Sequence, residues 1–472
     1  MSEAGGDRRF RILLWIVAVG FFMQTLDSTI VNTALPSMAK ALGESPLSMH
    51  SVVIAYSLTM AMLIPASGWL ADRFGTRQVF LAAIVLFTAG SVACAASTTL
   101  TQLVLSRILQ GAGGAMLLPV GRLVVLKSVS RDQFLPAMSF VAIPGLIGPL
   151  IGPTLGGWLV QTASWHWIFL INLPVGIAGV IATVLFLPDS RNPAIGRFDM
   201  VGYLMLSIGM VALSFSLDGV TDLGFERATV LVLLLVAFAL ITGYGLHARR
   251  HPDPLFPLSL FQVHTYTVGL LGNLFARIGS GAMPFLIPLL LQVGLGHTPV
   301  EAGMMMLPVA AMAMTAKRAV TRLITRYGYR RFLVINTLVL GALQASFAAT
   351  PSLPLPAMLV LLGCYGAVNS FQFTAMNTVT LRDLDRAGAG SGNSLFSMVQ
   401  MLSMSLGVTV AGALLGAYTS HFGPIVPAGA LTAFRATFVT IGLITCLSAT
   451  IFWQLGPGVT GSGAQPDDDE AG

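Results

Sequence analysis

Charged residues are scarce in this chain of 472 residues: they make up 9% of it, whereas hydrophobic residues make up 55%. A typical soluble domain is roughly 25% charged, and so few charges could not keep the surface of a soluble multidomain enzyme hydrated. Disorder of the whole chain is also excluded, because it requires low hydrophobicity and high charge. The mean hydropathy of +0.81 leaves a polytopic membrane protein as the predicted class.

Cysteine and lysine are also rare. The 3 cysteines, Cys94, Cys364 and Cys446, lie in apolar runs far from one another, which argues against a disulfide framework or a zinc site. His166, His264 and His297 show no metal-ligand spacing, so we predict no metal and no cofactor.

No lysine follows a glycine, as a phosphate-binding loop requires, and no nucleophile elbow occurs. We therefore predict neither ATP hydrolysis nor any other enzyme activity.

Long apolar runs dominate what is present. A spanning helix needs about 20 mostly apolar residues, and the sequence predicts fourteen such helices in an all-α membrane fold. They lie near 12–34, 50–70, 79–97, 102–124, 136–159, 167–187, 201–217, 229–246, 266–291, 300–316, 332–349, 356–378, 394–418 and 436–455.

The basic residues predict the orientation of these helices. With fourteen spans and a cytoplasmic N-terminus, 20 of the 25 Lys and Arg residues fall on the inner side. Lys40, Arg227 and Arg435 fall on the outer side, and Arg107 and Arg277 remain within the membrane. Cytoplasmic loops are rich in Lys and Arg, so we predict a bacterial inner-membrane protein with both termini in the cytoplasm. This asymmetry explains the basic charge without a nucleic-acid partner.

Weak self-similarity divides the chain into halves. Aligning Gly75 with Gly328 also aligns Arg73 with Arg326 and Arg77 with Arg330, as expected for repeated bundles in secondary transporters. We predict a six-helix bundle over 1–188, two inserted helices with linkers over 189–263, and a second six-helix bundle over 264–456. The polar segment 457–472 is predicted to be a disordered acidic tail.

Ionisable groups within the membrane are costly and are functional candidates by default. Asp27, Arg107 and Arg277 are the clear examples. Burial favours the protonated form of a carboxyl group, and a nearby cation opposes this. Asp27 is therefore predicted to carry protons under the control of Arg107, although a static structural ion pair is an open alternative. The residues predicted to line a substrate cavity are Gln24, Asn32, Gln110, Asn273, Arg277, Asn369 and Gln372.

Two further patterns suggest moving parts. The loop after the second span carries Gly68, Asp72, Arg73, Gly75 and Arg77, and is predicted to form an inner gate in which charge pairs break and re-form.

The fifth span is rich in small and helix-bending residues, and it is predicted to form a smooth interface on which the two bundles rock. Its residues are Gly145, Gly148, Pro149, Gly152, Pro153 and Gly156. Tight static packing is the alternative.

Five motifs in order resemble the major facilitator superfamily, and within it the 14-helix drug:proton antiporter branch (EmrB/QacA-like). They lie at 26–36, 68–77, 107–115, 145–157 and 165–174. The resemblance implies the major facilitator fold and the export of a small molecule by alternating access, driven by proton influx. The partners that we expect are the substrate, protons and the lipid bilayer. We expect a monomer.

The sequence does not identify the substrate. Multidrug efflux is the first expectation from the resemblance. Members of this branch often carry further membrane acids, whereas here one acid, Asp27, faces two bases, Arg107 and Arg277. That balance favours an organic anion or a metal chelate such as a citrate complex. A transporter-like sensor without net flux is a third possibility.

Overall fold

In a computed structural model, the structure describes residues 3–128, 131–191, 197–219, 227–384, 389–422 and 429–456. Within these ranges every regular element is helical, since apolar chain in lipid must satisfy its backbone hydrogen bonds internally. The α-helices are α1 (Glu3–Leu42), α2 (His50–Phe74), α3 (Thr76–Ala95), α4 (Leu100–Ser128), α5 (Arg131–Thr162), α6 (Trp167–Leu170), α7 (Asn172–Phe186), α8 (Met200–Gly219), α9 (Arg227–Arg250), α10 (His264–Leu289), α11 (Pro299–Met305), α12 (Leu307–Ser346), α13 (Leu355–Leu381), α14 (Ala389–Phe422) and α15 (Gly429–Phe452). Short 3-10 or π turns occupy Leu258–Gln262, Leu290–Gly294 and Phe347–Ser352.

The all-α membrane fold predicted from the sequence is confirmed. In the described chain, 12 helical segments are long and apolar enough to cross a membrane, and Met200–Ser216 is a shorter apolar helix. The remaining predicted span, 136–159, lies within α5. Each predicted span therefore falls on helical chain, although some ends differ by seven to nine residues, as at α1 and α15.

Two spans differ in detail from the prediction. The span near 167–187 is divided into α6 and α7. The spans 300–316 and 332–349 are connected through α12, which consists of two helices that meet at a kink. The change of direction falls at Gly328, whose φ of 73° and ψ of 159° are not helical. Glycine suits this position because it has no Cβ to clash at positive φ.

The helices pack as two sets. In the first set, α1 packs along α5, and α4 packs on α2 and α3. In the second, α12 packs on α13 and α15, and α10 packs on α14. Helices α8 and α9 pack on each other, and α8 also contacts α2 and α14. The predicted boundaries lie between α7 and α8 and directly before α10; the division into domains stays a prediction, and 457–472 lies outside the described residues.

The two sets meet at the end of the molecule where α1 ends and α2 begins, which the basic residues predict to be the outer end. There, α2 contacts α14 and α5 contacts α11. The side-chain amide of Gln292 donates to the Thr33 carbonyl at 2.8 Å, and the Thr154 hydroxyl donates to the Gly303 carbonyl at 3.1 Å. We call this contact the outer closure.

Candidate functional site

The centre of the first helix set holds a buried ion pair. Arg107 Nη1 on α4 lies 2.6 Å from Asp27 Oδ2 on α1, and each residue is only 1% exposed. Arg107 Nε also donates to the Val52 carbonyl of α2 at 3.3 Å. Two charges at this depth are tolerated because they compensate each other and their hydrogen bonds are made. The structure thus brings together the two residues predicted for proton coupling.

Amide side chains complete the surroundings of this pair. Gln110, one turn after Arg107 on α4, accepts from Arg107 Nη1 at 2.6 Å and donates from Nε2 to Asp27 Oδ1 at 2.8 Å. Asn172 donates to the same Asp27 oxygen at 3.5 Å. Gln110 and Asn172 also donate to the Ser91 hydroxyl of α3, at 2.7 and 3.2 Å. Both carboxylate oxygens therefore have donors, in a network that joins α1, α3, α4 and α7.

Tyr56 on α2 covers the arginine from the other side. Its ring lies under the Arg107 guanidinium, with Cζ 4.1 Å from the ring centroid, a cation–π distance. The Tyr56 hydroxyl is buried and has no hydrogen-bond partner in the described chain. Tyr56 could not be predicted from the sequence, because one tyrosine in an apolar helix gives no signal of its neighbours. Asn172 was also not selected as a site residue, although it lies in the 165–174 motif.

A cavity of about 70 Å³ lies between the two helix sets, beside this network. Arg107 and Tyr56 form part of its wall, and Asn32 contributes a polar group from α1. The opposite wall comes from α10 and α14 and is apolar, with residues that include Phe285 and Met404. The cavity is thus polar toward the ion pair and apolar toward the second set, and its volume is well below the roughly 300–1,000 Å³ of ordinary ligand pockets.

The predicted cavity residues of the first set divide between different places. Asn32 lines the cavity and donates to the Ser28 carbonyl at 3.3 Å. Gln110 does not line it, because it is fully buried in the charged network. Gln24 is buried, and its Oε1 atom has no hydrogen-bond partner in the described chain. Only Asn32 of these three therefore lines this cavity in the present conformation.

Arg277 forms a second buried polar cluster, in the second helix set. Its Nε donates to Asn273 Oδ1 and its Nη2 to Asn377 Oδ1, both at 2.7 Å. The guanidinium lies 4.3 Å from the Phe373 ring centroid, and Gln400 can accept from Nη2 at 2.7 Å once its amide is turned. Among the described residues, no carboxylate forms an ion pair with Arg277. In the described part of the chain, its positive charge is met by amide oxygens and the Phe373 ring.

Gln372 and Asn369 lie on α13. Gln372 accepts from Asn336 at 2.7 Å and donates to Thr337 at 2.7 Å, so it joins α13 to α12. Asn369 is half-buried. Neither residue lines the cavity beside the ion pair, so the seven predicted cavity residues do not form one site in this conformation.

The predicted inner-gate loop contacts the segment after α7. The backbone N–H of Arg77 donates to Asp189 Oδ1 at 3.3 Å, and its guanidinium donates to the Val184 carbonyl. Gly75 has a φ of 102°, and Asp189 occupies the space that a Cβ there would need. Arg73 and Gly68 are exposed, whereas Asp72 is half-buried and has an interaction partner. The acid that the loop contacts here is therefore Asp189, which the sequence analysis did not select.

The small residues of α5 need a correction. Gly148, Gly152 and Gly156 pack on Thr25, Thr29 and Thr33 of α1, in the same helix set, because only glycine leaves room for so close a contact. Of the predicted residues, Pro153 does contact the second set, together with Thr154 against Gly303, and Gly157 adds a contact with Pro299. Gly145 and Pro149 also lie in α5, but their surroundings are outside the described residues.

The contact between α5 and α1 gives a testable prediction. In Gly152→Val, the new Cβ would overlap the Thr29 hydroxyl, and overpacking costs about 1–3 kcal/mol or more. We expect a lower yield of folded protein and a lower midpoint of thermal unfolding in detergent. Gly245→Val is the control, because nothing lies within 4 Å of a Cβ at Gly245. Equal stability of the two variants would contradict this packing.

The fold and the site define a class: a helical membrane protein in which two packed helix sets enclose a cavity beside a buried ion pair. A family model described as "Major Facilitator Superfamily" matches residues 17–408. The chain belongs to the major facilitator superfamily and is a multi-pass membrane transporter.

The chain is also similar to individual bacterial proteins. One from Pectobacterium atrosepticum, described as "Putative multidrug resistance protein MdtD", is 51% identical over 445 residues, which cover 94% of this chain and 95% of that protein. A protein of the same description from Escherichia coli K12 is 52% identical over 443 residues, 93% of each chain. Among solved structures, a D-xylose-proton symporter shares 14% identity with a TM-score of 0.67 and covers 96% of this chain and 99% of its own. At that identity the likeness shows the fold alone.

Proposed function

We propose that this chain is a proton-coupled exporter of small molecules, working by alternating access in the bacterial inner membrane with both termini in the cytoplasm. Multidrug efflux is the first candidate activity. It is supported by the resemblance of the five sequence motifs to drug:proton antiporters, and by relatives that are about half identical and carry a multidrug-resistance description.

The observation that carries the proposal is the position of the Asp27–Arg107 pair. Asp27 is a buried acid, and Arg107 connects it to the cavity that lies between the helix sets. A cation close to a carboxylate favours the ionised form, and withdrawal of the cation favours the protonated form. A substrate that binds the protonated form and brings Arg107 against Asp27 would thereby release the proton, and a rearrangement of the sets that withdraws Arg107 would let Asp27 take up a proton again. This is the coupling step that we propose.

The available energy is sufficient for concentrative export. One proton that crosses 100 mV releases roughly 2.3 kcal/mol. Because each 1.36 kcal/mol corresponds to a factor of ten, one proton per cycle sustains a substrate gradient on the order of 50-fold. No cofactor is needed in this scheme, since the proton gradient supplies the energy.

A second candidate substrate class is an organic anion or a metal chelate such as a citrate complex. The observation in its favour is Arg277, which is 4% exposed and has no carboxylate partner among the described residues. An uncompensated buried cation attracts negative charge. In this proposal, an anion would approach Arg277 from between the sets and complete the charge balance that Asn273 and Asn377 leave open.

The two classes are separated by proton release from inside-out vesicles. A pH gradient, acidic inside, is formed across the vesicle membrane and is followed by the quenching of a fluorescent dye. Tetraphenylphosphonium, or citrate with and without iron, is then added to the vesicles. For multidrug efflux we expect the cation to restore fluorescence and Arg277→Ala to have little effect. For anion efflux we expect citrate or its iron complex to restore it, with loss in Arg277→Ala.

The control for that substitution is Arg435→Ala, which removes an exposed arginine from α15. An equal loss of the fluorescence response in both variants would contradict a specific role of Arg277. Binding of either probe without any change in fluorescence would favour a transporter-like sensor without net flux and would contradict the exporter proposal.

A further inference from the structure

Three side chains capable of binding a metal meet where the α8–α9 hairpin ends. Asp199 directly precedes α8, His247 lies in the last turn of α9, and His251 follows that helix. One ligand atom from each residue lies within 4.8 Å of the other two. The closest pair is His247 Nε2 and Asp199 Oδ1, at 2.8 Å.

The surrounding backbone holds the Asp199 carboxylate in place. The N–H of Gly202 donates to Oδ1 at 2.9 Å, and the N–H of Leu255 donates to Oδ2 at 3.1 Å. Burial tends to raise the pKa of this carboxyl, but these bonds and the one from His247 outweigh it and hold the pKa below its usual value. The carboxylate is therefore held in a fixed orientation, as outer-shell hydrogen bonds hold the ligands of a metal site.

A simple acid–histidine pair does not account for the whole cluster. The hydrogen bond between Asp199 and His247 explains these two residues, whereas His251 lies beside them with its ring centroid 5.1 Å from that of His247. Two imidazoles and one carboxylate form a ligand set that suits zinc or a similar divalent transition metal, at bond lengths of about 2.0–2.2 Å. Ligand atoms bound to one ion at these lengths lie at most about 4.4 Å apart, so the three atoms, which lie within 4.8 Å of one another here, must move closer on binding.

We propose that Asp199, His247 and His251 bind one divalent transition-metal ion, with zinc as the best-suited cation, and that water completes its coordination. The ion would replace the direct hydrogen bond between Asp199 and His247. It would join the start of α8, the end of α9 and the linker that continues toward α10. Such a clip would close the base of the α8–α9 hairpin, and it does not depend on the transport activity proposed above.

Neighbouring groups limit the expected affinity. Arg249 and Arg250 are exposed on the same turn and oppose a cation electrostatically, whereas Asp253 favours it. His251 Nδ1 also accepts a hydrogen bond from the Asp253 N–H at 3.2 Å, and metal binding must weaken or rearrange that bond. We therefore expect a dissociation constant on the order of micromolar, a binding free energy of about −8 kcal/mol.

The experiment uses the full chain purified in detergent without a polyhistidine tag, because such a tag binds the same metals. Zinc chloride is titrated in calorimetry, and the unfolding midpoint is recorded with zinc and with excess chelator. Cobalt(II), whose visible absorption reports coordination by nitrogen and oxygen, is the second probe. We expect one ion per chain, and an unfolding midpoint raised by zinc because the ligand binds the folded state.

The variants assign the site. We expect His251→Gln and His247→Gln each to weaken zinc binding about tenfold or more and to remove the zinc-dependent shift of the unfolding midpoint. His421→Gln, at an exposed position on α14, is the control and should bind as the parent chain does. Asp199→Asn also alters the start of α8, so His251→Gln is the deciding variant. Absence of binding up to about 1 mM zinc, a level far above the expected constant, or unchanged binding in both histidine variants, would overturn the proposal.

Discussion

Asp27→Asn is expected to abolish proton-driven efflux while leaving downhill exchange of substrate. The amide cannot carry a proton, so substrate movement can no longer be linked to a proton gradient. The ion pair that is lost is buried, with the two charged atoms 2.6 Å apart. Proteoliposomes with an imposed pH gradient measure driven uptake, and the same vesicles preloaded with unlabelled substrate measure exchange.

Folding must be separated from coupling in this experiment. Leaving a buried arginine without its partner costs about 3–5 kcal/mol, so the yield and elution profile of the variant are measured first. Asp27→Glu preserves the acid and should keep part of the driven transport. Asp253→Asn is the matched control, because it makes the same chemical change at an exposed position. Full driven transport in a folded Asp27→Asn protein would contradict the role of Asp27 as proton carrier.

Gly157→Val is expected to open the outer closure. The new Cβ would overlap the Pro299 carbonyl and lie 3.0 Å from the Val300 Cα across the contact between α5 and α11. Overpacking of about 1–3 kcal/mol that acts only on the closed arrangement shifts a two-state equilibrium about 5- to 150-fold. We therefore expect the outward-open population to rise and net transport to fall.

The opening is measured with a single cysteine at Val53, which lines the cavity on α2, in a chain whose own three cysteines are replaced by serine. A membrane-impermeant maleimide added to the outside should label Val53→Cys faster when Gly157→Val is present. Gly416→Val is the control, since a Cβ at Gly416 meets nothing within 4 Å. The same labelling rate with Gly157→Val as without it would contradict the assignment of this contact as the outer closure.

Much of the fold could be predicted because lipid imposes simple requirements. Runs of apolar residues must be helical, and this placed every span on a helix. The fusion of two spans in α12 could not be predicted from hydropathy, because the basic segment between them remains helical except at Gly328. The position of the turn could be predicted from the alignment of Gly328 with Gly75, because both glycines have positive φ.

The candidate site was predictable where a single residue type carried the signal. Asp27 and Arg107 were selected because charges are rare in membrane spans, and the structure places them in contact. Contacts that depend on how helices pack were not predictable: Tyr56 under the guanidinium, and the direction in which Gly152 faces. Asp199 and His247 lie 48 positions apart in sequence, so spacing does not link them. His247 and His251 have the four-residue spacing of metal ligands on one helix, a signal from which the site could have been suspected.

The central claim is that Asp27 exchanges its proton when substrate binds, and proton release from the purified protein tests it most directly. The full chain in weakly buffered detergent solution is mixed with a probe that gave a response in vesicles, and a pH-indicator dye records protons released per bound ligand. The account predicts release by the parent chain and none by Asp27→Asn at equal ligand occupancy. Equal release by both proteins would contradict it.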